Sequence, residues 1–297
     1  MTPLRLLVTG AAGMLGRDVA RAAARGGHEL IELTHGELDI SDRAAVALAL
    51  DGATRGASAL DGVINCAAWT DVDGAESQRK QAFAVNADGA RNLAQAAARH
   101  EVPLVHVCTD YVFDGVAPLD GRGAPRAYVE SDHTGPRTVY GESKLVGEQA
   151  VLDASPRNVV ARSSWLFGVD GNNFVATMLR LGTERDAVAV VTDQVGCPTW
   201  TGHLAPALIG LVERGVSGLA HVAGGGHVSW NGFAQEIFRQ AEVSCRVDPA
   251  TTAEMARPAP RPAWSALASE RDDLLPLPDW RDGLAGYLAA RAGMMRA

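Results

Sequence analysis

The sequence predicts an α/β fold, a doubly wound parallel sheet with a smaller, partly discontinuous α/β lobe. Three observations carry the prediction. Short apolar runs alternate with Ala- and Arg-rich helical stretches through the first half of the chain. The runs are apolar throughout rather than at every second position, as strands covered on both faces require. A glycine-rich turn, Gly10-Ala11-Ala12-Gly13-Met14-Leu15-Gly16, joins the first run to the first helical stretch. In a parallel sheet that junction brings backbone N–H groups to a phosphate.

Taken in order, residues 4–9 read as a strand, 16–25 as a helix and 29–33 as the second strand. Residues 62–66 and 104–108 are further strands on either side of a long helix over 82–100. A helix over 140–152 and a strand over 158–162 continue the βα rhythm. Beyond Gly168 the rhythm loosens into a helix at 172–181, a strand at 188–191 and a turn at 196–199. A helix at 202–214 and a strand at 218–222 return to the main sheet. A helix over 230–240, a proline-rich loop over 257–262 and a terminal helix near 279–290 complete the chain. The implied division is 1–168 plus about 202–225 for the Rossmann-type dinucleotide domain. The substrate lobe is then about 169–201 plus 226–297.

Composition narrows the function. At 297 residues, 47% apolar and 21% charged, the chain has room for a large core. A net charge of −8 argues against a nucleic-acid partner, although a few local arginines suffice for an anionic small molecule. Cys66, Cys108, Cys197 and Cys245 form no C-x-x-C pair, and the first two fall in apolar runs. Buried thiols in a reducing compartment are the expectation. No stretch approaches the roughly 18 apolar residues of a membrane span, and the amino terminus runs into a strand without a leader pattern. A cytoplasmic location is expected, with no membrane contact.

The chain has two lysines, and Lys144 follows Tyr140 by four residues in Tyr140-Gly141-Glu142-Ser143-Lys144. Residues four apart share a helix face, so a phenol and an ammonium can serve one site. A nearby cation favours phenolate and lowers the tyrosine pKa. The bland alternative is a surface tyrosine beside a solvated lysine. The glycine spacing is G-x-x-G-x-x-G in strand–turn–helix context, a pyrophosphate seat at Gly10 and Gly13. At the tip of the second strand, Leu33-Thr34-His35 lacks the acid that binds ribose hydroxyls, and Glu32 lies one alternation earlier. A 2′-phosphate then meets no repulsion, which admits NADPH alongside NADH. In Leu38-Asp39-Ile40 a carboxylate and an apolar side chain are suited to the adenine, while Asp39 is equally suited to cap a helix starting near Asp42.

Together the glycine turn, Asn65-Cys66-Ala67-Ala68, Asn86 and Tyr-x-x-x-Lys resemble the extended short-chain dehydrogenase/reductases. Within them the chain is similar to the dTDP-4-dehydrorhamnose reductases. The matching stretches are 66–76, Thr109-Asp110-Tyr111-Val112-Phe113-Asp114-Gly115 and Arg162-Ser163-Ser164-Trp165-Leu166-Phe167-Gly168. Asp193-Gln194-x-Gly196-x-Pro198-Thr199 and Arg261-Pro262-x-x-Ser265 also fit. Trp69, where a smaller aromatic or His is usual, and His133-Thr134 depart from the pattern.

The resemblance implies a catalytic set of Thr109, Tyr140 and Lys144. Thr109 would hydrogen-bond a ketone oxygen, Tyr140 would protonate it as hydride arrives, and Lys144 would hold the nicotinamide ribose. Gly10, Gly13, Met14, Leu15, Asp39, Ile40, Ala67, Ala68, Tyr140 and Lys144 would bind the cofactor. Thr109, Asp110 and Trp165 would face the sugar nucleotide. Arg162 and Arg261 suit a diphosphate, or else ion pairs within the fold. Asn86 suits a proton-supplying water, or capping and helix packing. Asp71, Asp73 and Glu76 read as a helix-start device, a solvated face or a weak cation site. Some relatives are assigned Mg²⁺, but no metal ligand set is specific here.

The activity implied is NADPH-dependent reduction of the C4 ketone of dTDP-4-dehydro-L-rhamnose by a monomer or homodimer. One alternative is a 4-ketoreductase for another dTDP-deoxysugar. Another is a non-catalytic subunit resembling the methionine adenosyltransferase beta subunit. A dehydratase is disfavoured because Tyr111 stands where that group has a Glu, and an epimerase by the missing acid after the second strand.

Overall fold

The computed structural model describes residues 2–55 and 59–294. Its elements, in chain order, begin with β1 (Arg5–Thr9), α1 (Met14–Gly26), β2 (Glu29–Leu33), α2 (Arg43–Thr54) and β3 (Gly62–Asn65). Next come α3 (Val72–Ser77), α4 (Arg79–Phe83), a π-helical turn (Ala84–Gly89), α5 (Ala90–Arg99) and β4 (Leu104–Thr109). A 3₁₀ turn (Asp110–Val112) leads to α6 (Val139–Ala154), β5 (Val159–Ser163) and β6 (Leu166–Phe167). There follow α7 (Phe174–Glu184), β7 (Ala187–Val191), β8 (Val195–Gly196), β9 (Thr199–Trp200), α8 (Thr201–Glu213) and β10 (Gly218–His221). The chain ends with β11 (Val228–Ser229), α9 (Trp230–Gln240), β12 (Arg246–Ala250), α10 (Thr252–Met255), β13 (Trp264–Ser265) and α11 (Trp280–Met294).

Six strands form the main sheet in the order β10-β5-β4-β3-β1-β2, and every pair is parallel. The order reverses between β1 and β3, which opens a crevice beyond their carboxyl ends. Successive residues of a strand face opposite sides. Leu7, Val63, Leu104 and Val160 accordingly pack with Val46, Leu50, Leu93 and Val151, under α2, α5 and α6. Leu6, Val8, Ile64 and Val105 pack with Val19, Leu204 and Leu208, under α1 and α8. A third core joins Phe167, Val175, Phe233, Ile237, Trp280 and Tyr287 around α7, α9 and α11. There β7 and β12 form a parallel pair, and β11, β8 and β13 form a small sheet. The sequence reading missed β12, β11 and β13. Two of them are two residues long, and β12 carries Pro249, a residue that weakens any strand signal.

The helix predicted over 82–100 is not continuous: α4, the π-helical turn and α5 divide it. The cause is a close approach by α6. A Cβ at Gly147 would lie 2.0 Å from the Asn86 carbonyl oxygen, so α6 presses on the turn and the i→i−4 ladder widens there. The cap of α2 is Asp42, which accepts from the N–H groups of Ala44 and Ala45. Asp39 instead closes its own turn, accepting from the Ser41 N–H and hydroxyl. Among the described residues no helix is long and apolar enough to cross a membrane. None of them forms a group of three His, Cys, Asp or Glu that could hold a metal ion.

Candidate active site

Gly10 ends the climb out of β1 at φ +70°, and a Cβ there would lie 2.6 Å from the Ala67 nitrogen at the end of β3. Only glycine meets both demands. A Cβ at Gly16 would strike the Gly10 carbonyl oxygen at 2.3 Å, so the turn and α1 are packed as one unit. Gly13 is the N-cap of α1, with no side-chain cap and no acid in the first turn. The helix therefore begins with N–H groups suited to an anion. The Met14 side chain lies against Gly168 and accepts from the Asn173 amide. Leu15 is buried in the core, which leaves its backbone N–H as the part able to face a cofactor. Ala67 and Ala68 line the β3 side half-buried.

Asp39 is exposed, whereas Ile40 is 3% exposed and packed against Gly89. The tip of β2, Leu33-Thr34-His35, carries no acid of its own, but it has an acidic neighbour. Glu37 folds back onto Thr34 and accepts from its N–H at 2.9 Å and its hydroxyl at 2.8 Å. A carboxylate therefore does stand beside that tip, although the residues of the tip itself carry none.

Thr109 ends β4 and is 6% exposed. Its hydroxyl accepts from the Tyr111 N–H at 3.2 Å and donates to Asp110 Oδ1 at 3.1 Å. The helix α6 starts beside it. Thr138 caps α6 through the Gly141 N–H at 3.0 Å, and a Cβ at Gly141 would lie 2.2 Å from the Tyr111 carbonyl oxygen. That glycine lets the helix end settle on the turn after β4. The Tyr140 phenol is thereby brought beside the Thr109 side chain, and its ring meets Tyr111 edge-on at 5.4 Å. Lys144, one helical turn on, is 2% exposed and donates from Nζ to the Val107 carbonyl at 2.7 Å.

The electrostatics differ from the expectation. Burial pushes the Tyr140 phenol above its ordinary value, and its interaction with the Thr109 side chain only partly opposes this. Burial likewise lowers the Lys144 ammonium. The expected depression of the phenol by Lys144 does not govern the site, where burial is the larger effect and the ammonium makes one strong bond, to the Val107 carbonyl. Tyr140 therefore rests as the protonated donor. Beside it, Asp110 is 4% exposed, and burial raises its carboxyl to about 6 against hydrogen bonds from Ser265 and Thr109. Its Oδ2 has no hydrogen-bond partner among the described residues. A buried unpaired acceptor of this kind is suited to a ligand hydroxyl.

Trp165 stands at φ +48°, a conformation that is a true outlier for so bulky a side chain. It stacks on Trp230 with ring centroids 3.5 Å apart and planes at 6°. A Cβ at Gly196 would lie 2.4 Å from the opposite part of the indole. The ring is thus held between β8 and α9.

Arg162 does not reach the crevice. It is 2% exposed, its Nε donates to Glu148 at 2.9 Å, and its guanidinium lies over the Phe113 ring at 4.9 Å. Of the two roles open to it, the ion pair within the fold is the one it has. Arg261 pairs with Asp73 at 2.8 Å, yet lines a cavity of about 220 Å³ with Tyr111, Arg137, Thr138 and Pro262. The acidic cluster is divided among three tasks. Asp71 caps α3, Asp73 holds Arg261, and Glu76 accepts from the Val139 N–H at 2.9 Å. Asn86 accepts from the Trp69 N–H and donates to the Trp69 carbonyl and the Ser143 hydroxyl. Both amide protons and one lone pair of the oxygen thus hold the chain after β3 and α6 in place. The sequence reading gave no site role to Trp230 or His106, and named Ser265 only within a matching stretch. A histidine inside the apolar run of β4 was the one visible signal.

The profile of the family described as RmlD substrate binding domain matches residues 4–292. The dTDP-4-dehydrorhamnose reductase of Mycobacterium tuberculosis is 47% identical over 295 residues, covering 97% of this chain and 93% of that protein. A probable dTDP-4,6-dihydroxy-2-methyloxan-3-one 4-ketoreductase of Streptomyces antibioticus is 42% identical, covering 95% of this chain and 93% of that one. The crystal structure of dTDP-4-dehydrorhamnose reductase from Bacillus anthracis in complex with NADP superposes with a TM-score of 0.90 at 34% identity. That match covers 97% of this chain and 100% of the other. With its parallel sheet, its glycine turn and matches along nearly its whole length, this chain belongs to the dTDP-4-dehydrorhamnose reductase family.

Proposed function

We propose that this protein reduces the C4 ketone of dTDP-4-dehydro-L-rhamnose with NADPH, giving dTDP-L-rhamnose. The observation that carries the reading is the buried Tyr140 phenol beside the Thr109 side chain at the end of β4, with Lys144 one turn along α6. Similarity to reductases of this name over 97% of the chain supports it. The crevice fits a dinucleotide, since a side chain at Gly10 would fill the space against Ala67 and the first turn of α1 is uncapped. When bound, the nicotinamide supplies hydride. Gly10, Gly13 and the backbone of Met14 and Leu15 hold the pyrophosphate, with Asp39 and Ile40 at the adenine end and Ala67 and Ala68 along the β3 wall. Tyr140 delivers its proton to the carbonyl oxygen while Thr109 hydrogen-bonds the same atom, and Lys144 turns to the ribose.

In this reading Asp110 accepts from a sugar hydroxyl and Trp165 presents a face to the ring. The lobe formed by residues about 169–201 and 226–297 receives the sugar nucleotide. The protein works in the cytoplasm as a monomer or homodimer. The complete Thr109, Tyr140 and Lys144 set speaks against a purely regulatory subunit. The 42% identity to a ketoreductase acting on a different dTDP-sugar favours one alternative, a related deoxysugar nucleotide. Consumption of NADPH and NADH is followed with dTDP-4-dehydro-L-rhamnose, and the product is identified by NMR. Formation of dTDP-L-rhamnose is expected; turnover only of another ketosugar would favour the alternative.

A further inference from the structure

Behind Lys144 lies a chain of polar side chains that the reduction does not consume. Thr9, Asn65 and His106 are each 1% exposed and Lys144 2%, and they come from β1, β3, β4 and α6. The Thr9 hydroxyl donates to Asn65 Oδ1 at 2.7 Å, and the Ala67 N–H donates to the same oxygen at 3.0 Å. A backbone N–H can only donate, so it decides which end of the Asn65 amide is oxygen. The amide NH₂ then faces His106 Nδ1 at 2.9 Å, and Nδ1 must accept. In the neutral ring the proton therefore sits on Nε2, which lies 3.4 Å from Lys144 Nζ. An imidazolium is excluded by the same geometry, because Nδ1–H would confront an amide N–H. Burial and the Lys144 charge act in the same direction, holding His106 well below its ordinary pKa.

The ring thus presents an N–H to Lys144 rather than a lone pair. The ammonium keeps one strong bond, to the Val107 carbonyl at 2.7 Å, and the remaining protons are available to a ligand. The other groups acting on Lys144 are the Cys66 and Cys108 thiols and Glu148. Both thiols are pushed up to about 12, and Glu148 is paired with Arg162. His106 is the neighbour whose donor pattern can be reversed without changing a charge. We propose that Asn65 and His106 are positioning residues: Asn65 holds His106 in the Nε2–H tautomer, so that the ring does not capture Lys144 and the ammonium stays free to turn to the cofactor. The role given to Lys144 rests on the reductase reading, but the tautomer does not.

The test uses ¹⁵N-labelled full-length protein and two-bond ¹H–¹⁵N NMR of the His106 ring, together with NADPH binding followed by fluorescence. The wild-type ring is expected as Nε2–H. Asn65→Asp keeps the size and still accepts from Thr9 and Ala67, but its second oxygen demands an N–H at Nδ1. That variant is expected to flip the tautomer and offer Nε2 to Lys144. Its Kd for NADPH should then rise about tenfold, the worth of one charge-assisted hydrogen bond. A wild-type ring protonated at Nδ1 overturns the proposal, as does a flipped tautomer in Asn65→Asp with an unchanged Kd. Absence of turnover with every ketosugar nucleotide would instead count against the reductase reading and leave the tautomer result standing.

Discussion

At the scale of single residues, the site is poised by burial more than by charge pairing. Tyr140 is held as a protonated phenol against Thr109, the form that gives a proton to a developing alkoxide. Tyr140→Phe is therefore expected to bind NADPH as the wild type does while kcat falls by roughly 10²–10⁴, the usual worth of a positioned acid. Titration of cofactor fluorescence and single-turnover kinetics separate the two effects. Asp110 makes a second, independent prediction. Its carboxyl lies at about 6 in the folded protein, above its ordinary 3.8. Between those values the folded state binds more protons than the unfolded state, so stability falls as pH rises through that window. Thermal unfolding from pH 4 to 6.5 should show the wild-type Tm falling relative to that of Asp110→Asn as pH rises. An equal slope in both proteins would mean that the carboxyl is not raised.

At the scale of elements, glycine positions decide how α6 delivers its residues. The approach of Gly147 to the Asn86 carbonyl and of Gly141 to the Tyr111 carbonyl sets the height and angle of the helix. Gly147→Ala is expected to destabilise the fold by about 1–3 kcal/mol, because backbone on the far side cannot give way. Urea unfolding measures this, and a lower kcat should accompany it as Tyr140 shifts. A wild-type midpoint would show that the π-helical turn yields easily. Much at this scale was legible beforehand. The strand Glu29–Leu33 and the helix Trp230–Gln240 fall where local apolar pattern and turn residues put them. The break in the helix over 82–100 was not legible, since its cause is a neighbour about sixty positions away in the chain.

At the scale of the whole molecule, the segment that leaves the main sheet after β5 packs against the first residue of α9. The Trp165–Trp230 stack joins that segment to α9 and holds Trp165 in its left-handed backbone. Such strain costs about 1–3 kcal/mol, and the stack, worth about 0.5–1.5 kcal/mol beyond burial, helps to offset it. Trp230→Ala is expected to raise KM for the sugar nucleotide by up to about tenfold while leaving NADPH binding unchanged. Steady-state kinetics with each substrate varied in turn distinguishes this from general damage, which would move both.

By itself the sequence determined the parallel sheet, the glycine turn into α1 and the Tyr140–Lys144 spacing on one helix, because each is written in residues a few positions apart. Only the tertiary structure decided which polar groups meet. It set Arg162 on Glu148, Arg261 on Asp73, Glu37 on Thr34 and the Asn65 amide on His106. The partner of a guanidinium, a carboxylate or an imidazole is whatever the packed fold brings within 3 Å or so, and no local pattern in the chain encodes that choice.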